Sequence, residues 1–192
     1  MKARFTSVAA VAATLAMGFA GVASASAAQF KSSGAGSLSA KALETQVFTT
    51  SAGKVECNAL TATGSIPAGE KETQAAVVKY EECTAFGEPA EISPAHYTFN
   101  ADGNVTITEP ITIKVNVFGS EVCKVTVEDQ TVGTVGYENL SNGNIKLVPN
   151  VTGIASSGSG SLCEYNETGS AAKGTYTGAS EVHNSGGTIE VV

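Results

Sequence analysis

The stretch Ile111–Glu128, ITIKVNVFGSEVCKVTVE, decides how the rest of the chain is read. Ile111, Ile113, Val115 and Val117 alternate with Thr112, Lys114 and Asn116, a period of two that marks a strand with one buried and one wet face. Phe118-Gly119-Ser120 breaks the run, and Cys123, Val125 and Val127 then alternate with Lys124, Thr126 and Glu128. Two β-branched runs about a short Gly-containing turn predict a β-hairpin. Cys123 falls on its apolar face, so the spacing predicts a covalent staple entering the core there.

The same signals recur on both sides of this hairpin. Upstream, Tyr97 and Phe99 alternate with Thr98, Asp102-Gly103 follows, and Val105 and Ile107 alternate with Thr106 and Thr108. Asp-Gly supplies the positive φ of a tight turn, so this is a second hairpin. Further upstream, strands are expected over 46–50, 54–64 and 75–80, with at most a short one over 90–92 between Pro89 and Pro94. Downstream, 131–137 and 144–151 flank an Asn-Gly turn, Ser156–Ser161 reads as a loop tip, and 162–165, 174–182 and 188–192 read as further strands. About ten to twelve short strands without a helical pattern predict an all-β fold, an antiparallel β-sandwich of Ig-like or Greek-key order, with closure into a barrel as the alternative.

The first 27 residues are expected to lie outside that fold. Lys2 and Arg4 precede an uncharged Ala-rich run from Val8 to Val22, and Ala25-Ser26-Ala27 is an A-x-A cleavage pattern, so 1–27 reads as a secretory signal peptide. Of 192 residues, removing 27 leaves 165, enough for one domain with a core. Residues 28–45 read as a flexible or edge-strand lead-in, and 46–192 as a single β-sandwich domain. No later apolar run is long enough to span a membrane.

The expected mature chain is acidic: nine lysines and no arginine stand against 18 acidic residues, a net charge of −9. Such a surface repels phosphate, which argues against nucleic acid as a partner and against anionic membrane surfaces. All four cysteines, Cys57, Cys83, Cys123 and Cys163, lie after the cleavage site. An even count in an exported chain predicts two disulfides, for which three connectivities exist. Sequential pairing, Cys57–Cys83 and Cys123–Cys163, is the expectation because each bond would staple neighbouring strands. Zinc is the rival, but no C-x-x-C pair occurs and only His96 and His183 would help.

No catalytic, cofactor-binding or metal-binding constellation stands out. A serine nucleophile needs a base and an orienting acid. His96, His183, Asp102 and Asp129 are the available partners, and there is no G-x-S-x-G elbow. Glu81 and Glu82 are adjacent, so on a regular strand they would point to opposite faces and make a poor acid/base pair. Asn100-Ala101-Asp102-Gly103-Asn104 is oxygen-rich like a calcium loop, but Glu109 is wrongly spaced for the closing ligand. Tyr97, Tyr137, Tyr165 and Tyr176 are candidates to line a groove. Asn104, Asn139, Asn150 and Asn166 head N-x-S/T sequons, and the Thr-rich strand 105–108 offers a possible edge for strand addition.

Several segments together resemble a group of uncharacterised secreted proteins of high-GC actinobacteria. They are the Ala-rich leader, Val55-Glu56-Cys57, Tyr80-Glu81-Glu82-Cys83-Thr84-Ala85-Phe86-Gly87, Cys123 in its valine-rich strand, and Gly174-Thr175-Tyr176-Thr177-Gly178. The resemblance spans roughly Phe48 to Val182; it implies export and a β-rich fold and carries no known activity. In being exported, acidic and two-disulfide, the chain is also similar to the neocarzinostatin-like apoproteins, which hold a small chromophore in a cleft. Their disulfides close shorter loops than these cysteines would. The expectation is a secreted or cell-surface, non-enzymatic β-sandwich that binds a cell-wall or protein partner or serves the envelope. An extracellular carrier with an apolar cleft is the alternative, and a hydrolase with a hidden site is the third.

Overall fold

The computed structural model describes residues 27–50, 52–163 and 171–192, with the side chains of 171–173 left aside. The expected signal peptide therefore lies outside the described residues, apart from Ala27. The described chain is all-β and antiparallel, a sandwich-like arrangement around one core. The decisive hairpin is β10 (Ile111–Val117) and β11 (Ser120–Val127), paired from Ile111↔Val127 to Val117↔Ser120 with one register shift after Val115. Ile111, Ile113, Val115, Cys123, Val125 and Val127 are all buried, as the alternation predicts.

The remaining strands come in chain order as follows. Before the hairpin lie β1 (Phe30–Ser32), β2 (Gly36–Ala42), β3 (Gln46–Thr50), β4 (Gly53–Ile66), β5 (Gly69–Lys71), β6 (Thr73–Ala85), β7 (Glu88–Ile92), β8 (Ala95–Asn100) and β9 (Val105–Ile107). After it come β12 (Gln130–Val132), β13 (Val135–Asn139), β14 (Ile145–Ser159), β15 (Ala171–Thr177), β16 (Ser180–Asn184) and β17 (Ile189–Val191). The count exceeds the expected ten to twelve because β1, β2 and β5 fall where no strand pattern is legible, and because 131–137 and 174–182 each divide in two. Pro94 between β7 and β8, and Pro110 between β9 and β10, lack the N–H a ladder needs, so each run breaks there and resumes.

Joined across these interruptions, the larger sheet has eight staves: β2/β3, β4, β6, β7/β8, β9/β10, β11 to β13, β14 and β15/β16. Pairings run unbroken from β4 to β6, β7, β10, β11, β14, β15, β3 and back to β4. The two facing layers are thus joined at both edges, and the ring closes. The path is up-and-down; an Ig-like or Greek-key order would need a long return connection, and most staves here turn directly into their ring neighbour. Closure removes the free edge proposed at 105–108, since β9 is paired to β8 on one side and β12 on the other.

A separate three-stranded sheet, β17-β1-β5, lies at the end where β4 turns into β6, and its Phe30 and Ile189 are buried in the common core. The stretch 28–45 thus holds two strands, β1 and β2, and is not a flexible lead-in; β1 is flanked by β17 and β5, so it is not an edge. β2 is no edge either, since it pairs with β16 and β4. Its Ser, Gly and Ala residues hid it from a hydrophobic pattern. A Cβ on Gly36 would lie 2.3 Å from Gly186 N, so the small residue is what lets the two backbones meet. Ser156–Ser161 is likewise not a loop tip: β14 runs through Ser159, and Ser156 is 2% exposed.

Both disulfides join the cysteines in sequential order, Cys57–Cys83 and Cys123–Cys163. Cys57 and Cys83 sit directly opposite in the β4–β6 ladder with Cα atoms 4.0 Å apart, the close spacing of a non-hydrogen-bonded pair. Cys123–Cys163 ties β11 to the segment after β14. Two such bonds are consistent with an oxidising environment. No cysteine remains to bind zinc.

Candidate functional site

The inward side chains of the ring do not fill it. A cavity of about 120 Å3 remains, walled by Leu38, Phe48, Leu60, Val105, Ile107, Ile111, Ile113, Ile145, Leu147, Val151 and Ile154, with Phe30 and Ile189 from the small sheet. No acidic, basic or histidine side chain is among its lining residues. Of the four tyrosines proposed to line a groove, Tyr97, Tyr137 and Tyr176 line this cavity; Tyr165 lies outside the described residues.

Strand register brings the aromatic residues together. Phe48 of β3 pairs directly with Tyr176 of β15, and their rings stack at 4.5 Å. Tyr80 of β6, opposite Leu60 of β4, meets Phe48 edge-on at 4.9 Å. Tyr97 of β8 faces Ala76 of β6, whose short side chain leaves the ring room. Three phenols from three staves thus converge at one side of the cavity.

Their hydroxyls form a chain anchored on Gln46, which is 0% exposed. Gln46 Nε2 donates to Glu44 O at 2.7 Å and Ala179 O at 3.0 Å, which uses both amide hydrogens and leaves Oε1 as an acceptor. Tyr176 OH donates to that oxygen. Tyr80 OH donates to Tyr176 OH at 3.4 Å, and Tyr80 and Tyr97 hydroxyls lie 3.1 Å apart. Gly178, at φ +140°, permits this seat: a Cβ there would lie 2.7 Å from Gln46 Oε1.

Burial disfavours the phenolate at all three positions. It pushes Tyr97 up to about 12, and raises Tyr80 and Tyr176 well above the usual phenol value; the neighbouring tyrosines add to the rise at Tyr80, while the hydrogen bond with Tyr80 offsets part of it at Tyr97 and Tyr176. Tyr137 is raised too, by burial and then by the charge of Asp102, and its hydroxyl donates to Asn100 O at 2.9 Å. The site is therefore neutral and mostly apolar, with one short line of hydroxyls and Gln74 among its polar groups.

The other singled-out residues lie elsewhere. His96 Nδ1 approaches Glu109 Oε1 at 3.4 Å, and His183 Nδ1 lies 3.0 Å from Asn144 Oδ1; neither bonds a serine among the described residues. Asp129 is exposed. Asp102 accepts Asn104 N at 2.9 Å and Asn104 Nδ2 at 3.0 Å, so the oxygen-rich loop spends its carboxylate on its own turn. No group of three or more His, Cys, Asp or Glu is placed to hold a metal among the described residues. Glu81 and Glu82 do not point to opposite faces as alternation predicts. Both are exposed while Tyr80 and Cys83 are buried, because Glu82 adopts φ +54° and interrupts the pleat.

Of the sequon residues, Asn104 is held by Asp102, and Asn139 exchanges two bonds with the Val191 backbone, at 2.9 Å and 2.8 Å, which ties β17 to the larger sheet. Asn150 is exposed and Asn166 lies outside the described residues. Sequence reading passed over Gln46 and Tyr80. It also passed over Glu181, whose carboxylate gathers Asn144 Nδ2 at 2.6 Å, Asn142 Nδ2 at 2.8 Å and Lys41 Nζ at 3.1 Å. Those bonds, Asn144 first, pull Glu181 down to about 2, marking a satisfied structural anion. No helix among the described residues is long and apolar enough to cross a membrane. Compared with known proteins, the chain matches no family model, no curated protein and no solved structure.

Proposed function

We propose that the chain is an exported, non-catalytic carrier whose ring encloses a small, uncharged, largely apolar ligand. The observation that carries this reading is the cavity. Native cores pack with few voids larger than a water molecule, and an empty apolar void of 120 Å3 costs about 3 kcal/mol at the per-volume rate of cavity-forming substitutions. A ligand that fills it recovers that loss. Export rests on the leader and the two disulfides. The ring's outer face carries Thr112, Lys114, Lys124 and Thr126 while its inner face is apolar, the reverse of a barrel that faces lipid.

The size of the void sets the size of the guest. Drug-sized sites occupy roughly 300–1,000 Å3, whereas an apolar cavity of roughly 150 Å3 in another protein admits benzene. The expected guest is thus a single small ring or a short branched chain. Thermal unfolding in the presence of excess benzene tests this: the midpoint rises with ligand concentration if the native state binds. Ala76→Leu, which places three more carbons in the void, should remove the shift. No concentration-dependent rise in the unmutated protein with benzene or with any ring of its size would sink the carrier reading.

A second reading, adhesion to a wall or protein partner, draws on Phe118. This side chain stands fully exposed at the hairpin tip, with φ +49°. Cosedimentation with the producing cell's own envelope tests it. Retention that Phe118→Ser leaves unchanged would discard Phe118 as the contact.

A further inference from the structure

We infer that the tyrosine side of the cavity selects a guest that donates a hydrogen bond, a small neutral ring bearing one O–H or N–H; this rests on the carrier reading and specifies its ligand. The argument follows the protons. Both hydrogens of Gln46 Nε2 are taken by backbone carbonyls, so Oε1 must accept, and Tyr176 must donate to it. Tyr176 therefore has no proton left for Tyr80, and the Tyr80 hydroxyl gives its single hydrogen to Tyr176. The 3.1 Å contact between Tyr80 and Tyr97 is then satisfied with Tyr97 as donor.

All three hydroxyl hydrogens are now committed in one direction, toward Gln46. What remains at the open end is a lone pair on the Tyr97 oxygen, which has no second partner among the described residues. Gln74, also in the wall, repeats the pattern. Its Nε2 donates to Ser65 O at 3.0 Å and Ala75 O at 2.7 Å, so its oxygen is the function left to offer. Wall acceptors whose own hydrogens are already spent call for a proton from the guest. A carboxylate would meet no cation in the wall, and an ammonium would leave water for an apolar site with no counter-charge.

The test is a set of rings close in size: benzene with no polar group, pyridine as acceptor only, pyrrole and phenol as donors. Binding is measured by titration calorimetry or ligand-observed NMR at neutral pH, on the exported protein with disulfides intact and on Tyr97→Phe. Pyrrole should bind the unmutated protein more tightly than pyridine. Tyr97→Phe should weaken phenol by about 2- to 13-fold, the range of one net hydrogen bond, and leave benzene within about a factor of two. Equal losses for phenol and benzene, or a loss confined to pyridine, would overturn the inferred polarity while leaving the carrier reading standing. If none of the four binds, the carrier reading falls and takes this inference with it. Should Tyr97→Phe fail to fold, the pyrrole–pyridine order in the unmutated protein decides alone.

Discussion

Tyr176→Phe removes one oxygen from the middle of the hydroxyl chain and isolates the acceptor on which the chain ends. Gln46 Oε1 is then left without its hydroxyl donor inside a fully buried side chain, while both Gln46 amide hydrogens stay fixed on Glu44 O and Ala179 O. The amide is tethered and has no easy route to another donor. An orphaned buried acceptor costs about 1–3 kcal/mol, and a value near 2 kcal/mol is expected here. Tyr80 loses its acceptor as well, and the Tyr80–Tyr97 pair keeps the single bond across its 3.1 Å contact, whichever hydroxyl donates. Tyr97→Phe removes the same atom from the free end; the Tyr80 oxygen loses its donor, but that hydroxyl keeps its own bond to Tyr176. It should cost about 1 kcal/mol or less. Equilibrium urea unfolding of the two variants and their parent, with an unchanged m-value, reads the contrast directly. If Tyr97→Phe proved as damaging as Tyr176→Phe, the chain would not be anchored on Gln46, and the proton order derived from it would be wrong.

Other expectations follow from the same structure. Replacing both Cys123 and Cys163 with alanine reopens a loop of sequence separation 40 and should lower stability by about 4 kcal/mol in the chain-entropy model, read as a lower denaturation midpoint; an unchanged midpoint would contradict the staple. The raised tyrosines link stability to alkaline pH. The unfolded phenols ionise near pH 10 and the folded ones above it, so stability should hold below about pH 10 and fall as pH climbs toward 12, with the phenolate absorbance of Tyr80, Tyr97 and Tyr176 appearing only on unfolding. Early phenolate absorbance in the folded protein that Tyr97→Phe or Tyr176→Phe diminishes would show the hydroxyls to be wet. Glu181 works in the opposite sense: its depressed value stabilises the fold above about pH 4.5 and the gain is lost as pH falls toward 2, so Glu181→Gln should flatten that part of the acid profile. Phe118→Asn should raise stability by about 1 kcal/mol, because Asn tolerates the left-handed backbone that Phe118 occupies at φ +49° with its ring in water. A loss of stability would mean the ring has a contact that the structure does not show.

Local pattern settled a good deal in advance. Alternation in Ile111–Val127 fixed the strand pair, its buried face and the inward cysteine, because a period of two is a property of the extended chain itself. Asp102-Gly103 likewise marked the β8–β9 turn through backbone conformation alone, with Gly103 at φ +97°. The sequential cysteine pairing followed once neighbouring strands were expected to be neighbours in space. Where local pattern was absent, so was the signal: β1 and β2 are built from small and polar residues whose place is fixed by partners far along the chain.

The candidate site belongs to that second class. Gln46 has the composition of a surface residue, and nothing adjacent to it indicates burial. It is buried because Tyr176, 130 positions away, and Ala179 supply its bonds. Tyr80, Tyr97 and Tyr176 lie on separate staves, and their hydroxyls meet only after the ring has closed. The cavity is likewise a difference between the volume the ring encloses and the volume its inward side chains fill, a quantity that no single strand holds. The sequence alone thus determined the strands with a regular alternation, their wet and dry faces and the covalent staples, since these depend on backbone geometry and near neighbours. Tertiary structure alone decided closure of the ring, the void inside it and the direction of its hydrogen bonds, since these depend on long-range register.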